Sequence, residues 1–335
     1  MSGDIEERVE TLMRGQGGVA SAGDLHRAGI TPNQVCALVR RRVLTRVRRD
    51  ALILAESAAG ASDWEVRRLR TLAVGRSLAR WDVDAHAISH ASALMVHGLR
   101  YHGNNGFIHL SRTDGRRGRR DEAVHVHVPI DPEFVLEVDG LQVVSPVVAA
   151  LQVAAGDGIE AGIVALDGVL HHAEEQDVQA FGRRDGEARA RVVAEVEAAV
   201  ELIAGLSITA VQRVIDFADG RSASVGESRL RWQVHLMDLG PCTPQFEVRD
   251  DHGVFLGRVD LKLDRWKVLL EFDGRVKYGD DSQALFNEKL REDDIRDQGY
   301  EVVRISWADL RNPQRLRAKI AKAIARAQER EAITG

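Results

Sequence analysis

Three carboxylates stand in segments that otherwise read as buried strands: Asp260 in GRVDLKL, and Glu271 and Asp273 in WKVLLEFDG. An ionised carboxylate on a buried strand is costly unless it is paired or binds a cation. Residues two apart on a strand share a face, so Glu271 and Asp273 point the same way. Asp260 lies on the preceding strand, joined to theirs by a turn at Asp264, Arg265 and Trp266, so the carboxylates converge at one end. Oxygen ligands with positions left for water suit Mg²⁺, or Mn²⁺ in its place. Such an ion activates a water and stabilises the charge that builds on a scissile phosphate. Downstream, Lys277, Lys289 and Arg291 are placed to face that phosphate as charge stabilisers. The competing reading, surface carboxylates on an ordinary α/β domain, is disfavoured by the apolar flanks of Glu271.

The elements that must position these groups follow from the hydrophobic pattern. SVGESRLRWQVHLMDLG has Val225, Leu230, Val234, Leu236 and Met237 at roughly helical spacing, with Glu227 in the first turn and Gly240 at the end. PQFEVRDDHGVFLGRVDLKL gives two alternating strands around a turn at Asp250 to Gly253. WKVLLEFDG is almost continuously apolar, as in a strand covered on both faces. After it come a loop, a helix ending near Gly299, and the alternating strand EVVRISW. A strand, crossover helix and strand of this kind is right-handed and returns Arg304 beside the acidic strand.

At the other end of the chain, the segment from Asp4 to Ala55 predicts three short helices and a hairpin, a tri-helical DNA-binding pattern closed by a wing. Ser21 caps a helix through Leu25 to Ala28, which Gly29 ends. Thr31 caps a second helix that begins at Pro32 and carries Val35, Leu38 and Val39. Arg40, Arg41 and Arg42 follow it, and Arg46, Arg48 and Arg49 sit at the tip of the hairpin VLTRVRRDALILA. Arginines on a wing and at the end of a recognition helix bind phosphates through counterion release. The alternative is a solvated basic face.

The chain has 335 residues, 44% of them hydrophobic and 29% charged, which predicts several domains and an ordinary soluble composition. No apolar run is long enough to span a bilayer, and the acidic start MSGDIEERVE lacks the features of a secretory signal, so a cytoplasmic protein is expected. The net charge of −5 argues against a uniformly basic nucleic-acid binder, although local distribution matters more. Cys36 and Cys242 read as reduced thiols. The middle segment alternates helical stretches (EVRRLRTLAVGRSLAR, ISHASALMVHGL, Val147 to Leu170) with strands (GFIHLSR, AVHVHVP), a mixed α/β pattern. Its histidines, His86, His90, His97, His102 and His109, match no compact ligand spacing, and His125 with His127 fits the polar face of a strand; they read as packing residues. No glycine-rich phosphate loop or nucleophile motif points to a small-molecule enzyme.

The blocks GESRLR, GRVDLKL, VLLEFDGRVKY, EKLRED and GYEVVRISW together resemble a domain family allied to the Vsr mismatch endonucleases, within the PD-(D/E)xK nuclease superfamily. That resemblance implies a restriction-endonuclease-like fold, a central mixed sheet flanked by helices. It implies metal ligands at Asp260, at Glu271 as the acidic residue of the D/E-x-K element, and at Glu227 from the preceding helix, with Asp273 where the superfamily keeps its lysine. Lys277 or Lys289 then takes the lysine's place. The start of the chain, GVASAGDLHRAGIT with its arginine-rich wing, and ISHASALMVHGL are similar to AbiEi-type antitoxins of toxin-antitoxin and abortive-infection systems; SPVVAALQVA lacks that family's arginine-threonine pair.

The expected organisation is a winged helix over 1–55, an AbiEi-like α/β domain with a helical linker over 56–205, and a Vsr-like nuclease domain over 206–335. The expected function is metal-dependent DNA endonuclease action in phage defence or DNA repair. The alternative is a non-catalytic AbiEi-like repressor or antitoxin with a degenerate nuclease domain. DNA is the expected partner, with a cognate toxin or neighbouring defence protein as a further one, and no membrane.

Overall fold

A computed structural model describes residues 2–78, 85–103, 106–121, 123–182, 186–200, 208–274 and 282–334. Helices and sheets alternate along the chain, which divides into two compact units: residues 1–165 with 191–213, and residues 166–190 with 214–335. No helix among the described residues is long and apolar enough to cross a membrane.

The first unit opens with α1 (Ser2–Arg14), β1 (Val19–Ser21), α2 (Ala22–Arg27), α3 (Pro32–Arg40), β2 (Leu44–Arg48) and β3 (Ala51–Leu54). Ser21 and Thr31 each cap the following helix with a reciprocal capping box, so two orphan amides at each start are satisfied. The strands form an antiparallel sheet in the order β1-β3-β2. Val9, Met13, Leu25, Leu38, Leu44, Leu52 and Leu54 fill the core between helices and sheet. β1 is too short to register as a strand in the sequence; it exists because β3 offers it a partner.

Next come α4 (Ala55–Ala58), α5 (Asp63–Leu78), β4 (His86–Ile88), α6 (His90–Val96), β5 (Ile108–Arg112), β6 (Arg119–Arg120), β7 (Val124–His127), β8 (Val135–Val138) and β9 (Leu141–Val144). Six strands form one mixed sheet in the order β6-β7-β5-β4-β9-β8, in which β5 and β7 run parallel. The expected helix from Val147 to Leu170 is two helices, α7 (Pro146–Asp157) and α8 (Ile159–Phe181). They are broken at Gly158, whose φ of 94° no L side chain adopts readily. Helices α9 (Glu187–Val200) and α10 (Ile208–Phe217) follow, and the borders between the units fall within α8, α9 and α10.

The second unit is built on a four-stranded sheet in the order β10-β11-β12-β13. Its elements are α11 (Val225–Leu236), β10 (Cys242–Arg249), β11 (Phe255–Leu263), β12 (Val268–Asp273), α12 (Ser282–Asp297), β13 (Glu301–Ser306), α13 (Trp307–Leu310) and α14 (Pro313–Thr334). The first three strands are antiparallel neighbours, while β12 and β13 are parallel across α12 and pair Glu271 with Arg304, the return expected of a crossover unit. One face of the sheet packs Leu261, Leu263, Val268, Leu270, Val303 and Ile305 against α11, α13 and α14. The other packs Val248, Val259, Leu269 and Val302 against Ile295 of α12. β12 is therefore covered on both faces, which is why it reads as an unbroken apolar run.

Candidate functional site

The acidic residues of the second unit meet where the sheet changes its pairing. The β11 to β12 ladder runs from Leu263↔Val268 to Leu261↔Leu270 and stops, whereas β12 stays paired with β13 as far as Asp273↔Ser306. Side-chain facing also switches there. Leu261, Leu263 and Cys242 pack with the α11 face, but Val259, Phe246 and Val248 pack with the α12 face. Gln245, between Pro244 and Phe246 on β10, takes a left-handed φ of 51°. Asp260 stands opposite it at this break. In place of a backbone carbonyl, the Asp260 Oδ2 accepts the Phe272 amide at 2.6 Å, so the carboxylate holds the two strands at their point of divergence.

Burial, together with the neighbouring Glu227 and Glu271 carboxylates, pushes the Asp260 carboxyl up to about 7, against the opposing pull of the Phe272 amide and Arg291. Glu227 arrives on the first turn of α11, which Ser224 caps by accepting the Glu227 amide. Its Oε2 accepts the Ala223 amide at 2.8 Å and the Gln245 side-chain amide at 2.9 Å. Two features fix α11 in place. Gly226 allows Phe272 so close that an added Cβ would lie 2.0 Å from the ring. Arg231, one turn further on, is buried and donates to both oxygens of the buried Asp167 at 2.7 and 2.9 Å.

Glu271 is half-buried and accepts from the Arg291 guanidinium at 2.6 Å, an ion pair within α12 reach of β12. Asp273 lies two residues on and is also half-buried. Arg304 is in register with Glu271, but its side chain donates to Glu292 on α12 at 2.8 Å. Lys289 is exposed. It precedes Arg291 by two residues, about 200° around the helix, so the rotation that aims Arg291 at Glu271 turns Lys289 away. Lys277 lies outside the described residues. The structure thus gathers Glu227, Asp260, Glu271 and Arg291, leaves Lys289 outside the group, and turns Arg291, expected at the phosphate, onto Glu271. Lys262, on the face shared with Glu271 through its pairing with Leu269, is a further basic group not picked out in the sequence; its Nζ lies 4.5 Å from the Phe246 ring centre.

The donor chemistry of this centre fits a hard divalent cation. All the candidate ligands are carboxylate oxygens, and Asp260 is held in a setting where its own ionisation is opposed by two like charges. Among the described residues, no three acidic oxygens here all come within 4.8 Å of one another. Glu271 is engaged by Arg291, so cation binding would exchange that guanidinium for metal.

At the N-terminal end, Arg40, Arg41, Arg42, Arg46 and Arg49 are exposed and Arg48 half-buried. Arg41 pairs with Glu6, and Arg48 with Asp121 at 3.2 Å. Arg46 donates to the Arg49 carbonyl across the hairpin tip. Arg42 adopts a φ of 61°, turning the chain from α3 into β2. Both cysteines are free thiols.

The histidines, expected as packing residues, come closer together than their spacing along the chain suggests. His90, His109 and His127 form a group whose ligand atoms all lie within 4.8 Å of one another. On β7, His125 and His127 alternate with buried Val124 and Val126, the polar face that the sequence pattern predicts. Invisible in the sequence was the parallel register that sets His109 beside His125 and Ser111 beside His127, together with the placement of His90 over them. No protein-family model and no curated protein matches this chain.

Proposed function

We propose that the second unit carries the active centre of a metal-dependent DNA endonuclease, with the N-terminal segment as a winged-helix DNA-binding element. The observation that carries this reading is Asp260: a carboxyl pushed up to about 7 beside Glu227 and Glu271, at the point where two strands of a mixed sheet diverge. Perturbed carboxyls of this kind cluster at functional sites. The order of helix, hairpin, acidic strand, crossover helix and parallel strand supports a restriction-endonuclease-like fold, in keeping with the resemblance to the Vsr-allied family.

In this reading Glu227, Asp260 and Glu271, with Asp273 at the end of β12, hold Mg²⁺ or Mn²⁺. A bound ion of this class polarises a water for attack on a phosphodiester and neutralises charge on the scissile phosphate. The chain's own groups do the rest. Gln245 and the Ala223 amide orient Glu227. Asp260 must release its proton before it can act as a ligand, and Arg291, once freed from Glu271, is placed to meet a phosphate oxygen.

A second reading has its own support. Asp273 stands where the resembled superfamily keeps a lysine, and Arg291 already neutralises Glu271. Both features suit a DNA-binding repressor or antitoxin of the AbiEi type that retains the fold without turnover. Supercoiled plasmid incubated with the full-length protein separates the two: nicked circles that appear only with Mg²⁺ or Mn²⁺ support the nuclease. DNA that is retarded on a gel yet stays intact under both metals supports the regulator.

A further inference from the structure

We infer that the first unit contains a transition-metal site built from His90, His109 and His127, separate from the acidic centre and selective for a borderline ion of the Zn²⁺ class. The three imidazoles come from three different elements. His109 lies on β5 and His127 on β7, and His90 begins α6 above them. Their ligand atoms all fall within 4.8 Å of one another. Two ligands about 2.0–2.1 Å from a tetrahedral zinc lie about 3.4 Å apart, so the stacked rings close a coordination sphere by drawing together and turning their edges toward one ion.

His109 Nδ1 and His127 Nε2 meet at 2.8 Å, a spacing that one shared proton satisfies. His90 is stacked on His127 with ring centres 3.6 Å apart and brings a third ring to the same spot. His109 is buried, so its ring is shielded from competing solvent. Three converging imidazoles offer lone pairs to a cation, and imidazole suits Zn²⁺, Co²⁺, Ni²⁺ and Cu²⁺ rather than Mg²⁺.

The second nitrogen of the His90 ring is engaged as in metal-ligating histidines, and backbone hydrogen bonds fix the positions of His90 and His109. His90 Nδ1 meets the Ser89 hydroxyl at 3.0 Å, and the His90 amide donates to Gln152 Oε1 at 2.9 Å. The His109 amide donates to Ser92 Oγ at 3.0 Å, and the Ser89 amide donates to the His109 carbonyl at 3.0 Å. His90 itself sits at a φ of 52°, a left-handed conformation unfavourable for a non-glycine residue that the fold nevertheless imposes. With three protein ligands, the coordination sphere keeps a position for water or an anion, as catalytic zinc sites do.

Cobalt gives a direct readout. The full-length protein, freed of metal by chelation and titrated with Co²⁺ in the absence of Mg²⁺, is expected to develop the intense visible bands of a low-coordinate cobalt–imidazole centre at one equivalent, and Zn²⁺ should abolish them. His127→Gln, at a half-buried position, should weaken Co²⁺ binding by more than the roughly 10–100-fold that loss of an outer hydrogen-bond partner costs. Asp260→Asn should leave the bands intact, which separates this site from the acidic centre. If His127→Gln or His109→Gln unfolds the protein, Zn²⁺ protection of the wild type against heating in excess Mg²⁺ remains as a second readout and should raise its melting temperature. Absence of the bands, their survival in His127→Gln, or their loss in Asp260→Asn would overturn the inference, as would a wild type that Zn²⁺ does not protect.

Discussion

Asp260 concentrates the physics of the acidic centre in one side chain. Its carboxyl is pushed up to about 7 in the fold, against about 3.9 for an aspartate in an unfolded chain. Between those two values the folded protein keeps a proton that the unfolded chain has released. The stability this group contributes is therefore complete below about pH 4 and is lost as the pH rises through 7. Removing the charge reverses the loss: Asp260→Asn should melt at a higher temperature than the wild type at pH 8, by on the order of 1–2 kcal/mol once partial solvent access is allowed for. The two proteins should melt alike at pH 4. Excess Mg²⁺ at pH 8 should raise the wild type toward the variant and leave the variant unmoved, since a ligand stabilises only the state that binds it. Thermal melts in both buffers, with and without Mg²⁺, check all of these outcomes. Equal melting at pH 8 without metal would mean that Asp260 ionises at no cost.

At the scale of elements, the decisive contact is α11 on β12. Gly226 is the only residue type that fits above Phe272, because a Cβ there would overlap the ring. Gly226→Ala should destabilise the protein by about 1–3 kcal/mol, the usual cost of overpacking, and should also shift Glu227, its chain neighbour. Asp167→Ala leaves Arg231 buried without its carboxylate and should cost about 3–5 kcal/mol in denaturant unfolding. Much of this element structure is legible in the sequence: the caps at Ser21 and Thr31, the hairpin of β10 and β11, the apolar β12 and the crossover to β13 all carry local signals of spacing or turn chemistry. Features that depend on long-range register are not. The Asp167–Arg231 pair joins residues 64 apart, and the histidine group requires β5 and β7 to lie in parallel register. Likewise, the carboxylates are visible as types on strands, but the ion pair of Glu271 with Arg291 depends on the rotation of α12 about its axis.

At the scale of the whole molecule, a chain of net charge −5 can bind DNA only through a local excess of cations. Arg40, Arg42, Arg46 and Arg49, exposed around the end of α3 and the β2–β3 tip, would supply that excess in the proposed reading. Replacing Arg40, Arg46 and Arg49 together with alanine should weaken DNA binding without regard to sequence. It should flatten the dependence of log affinity on log salt by about 0.9 for each arginine that contacts a phosphate. Affinity measured across a salt series reads both quantities, and an unchanged slope would return these arginines to the role of a solvated basic face. The nuclease reading itself stands or falls on the initial rate of Mg²⁺-dependent nicking of supercoiled plasmid. The expected result is nicking by the wild type that drops at least about a hundredfold in both Asp260→Ala and Glu271→Gln. Nicking that persists undiminished in either variant, or none by the wild type in Mg²⁺ or Mn²⁺, would contradict it.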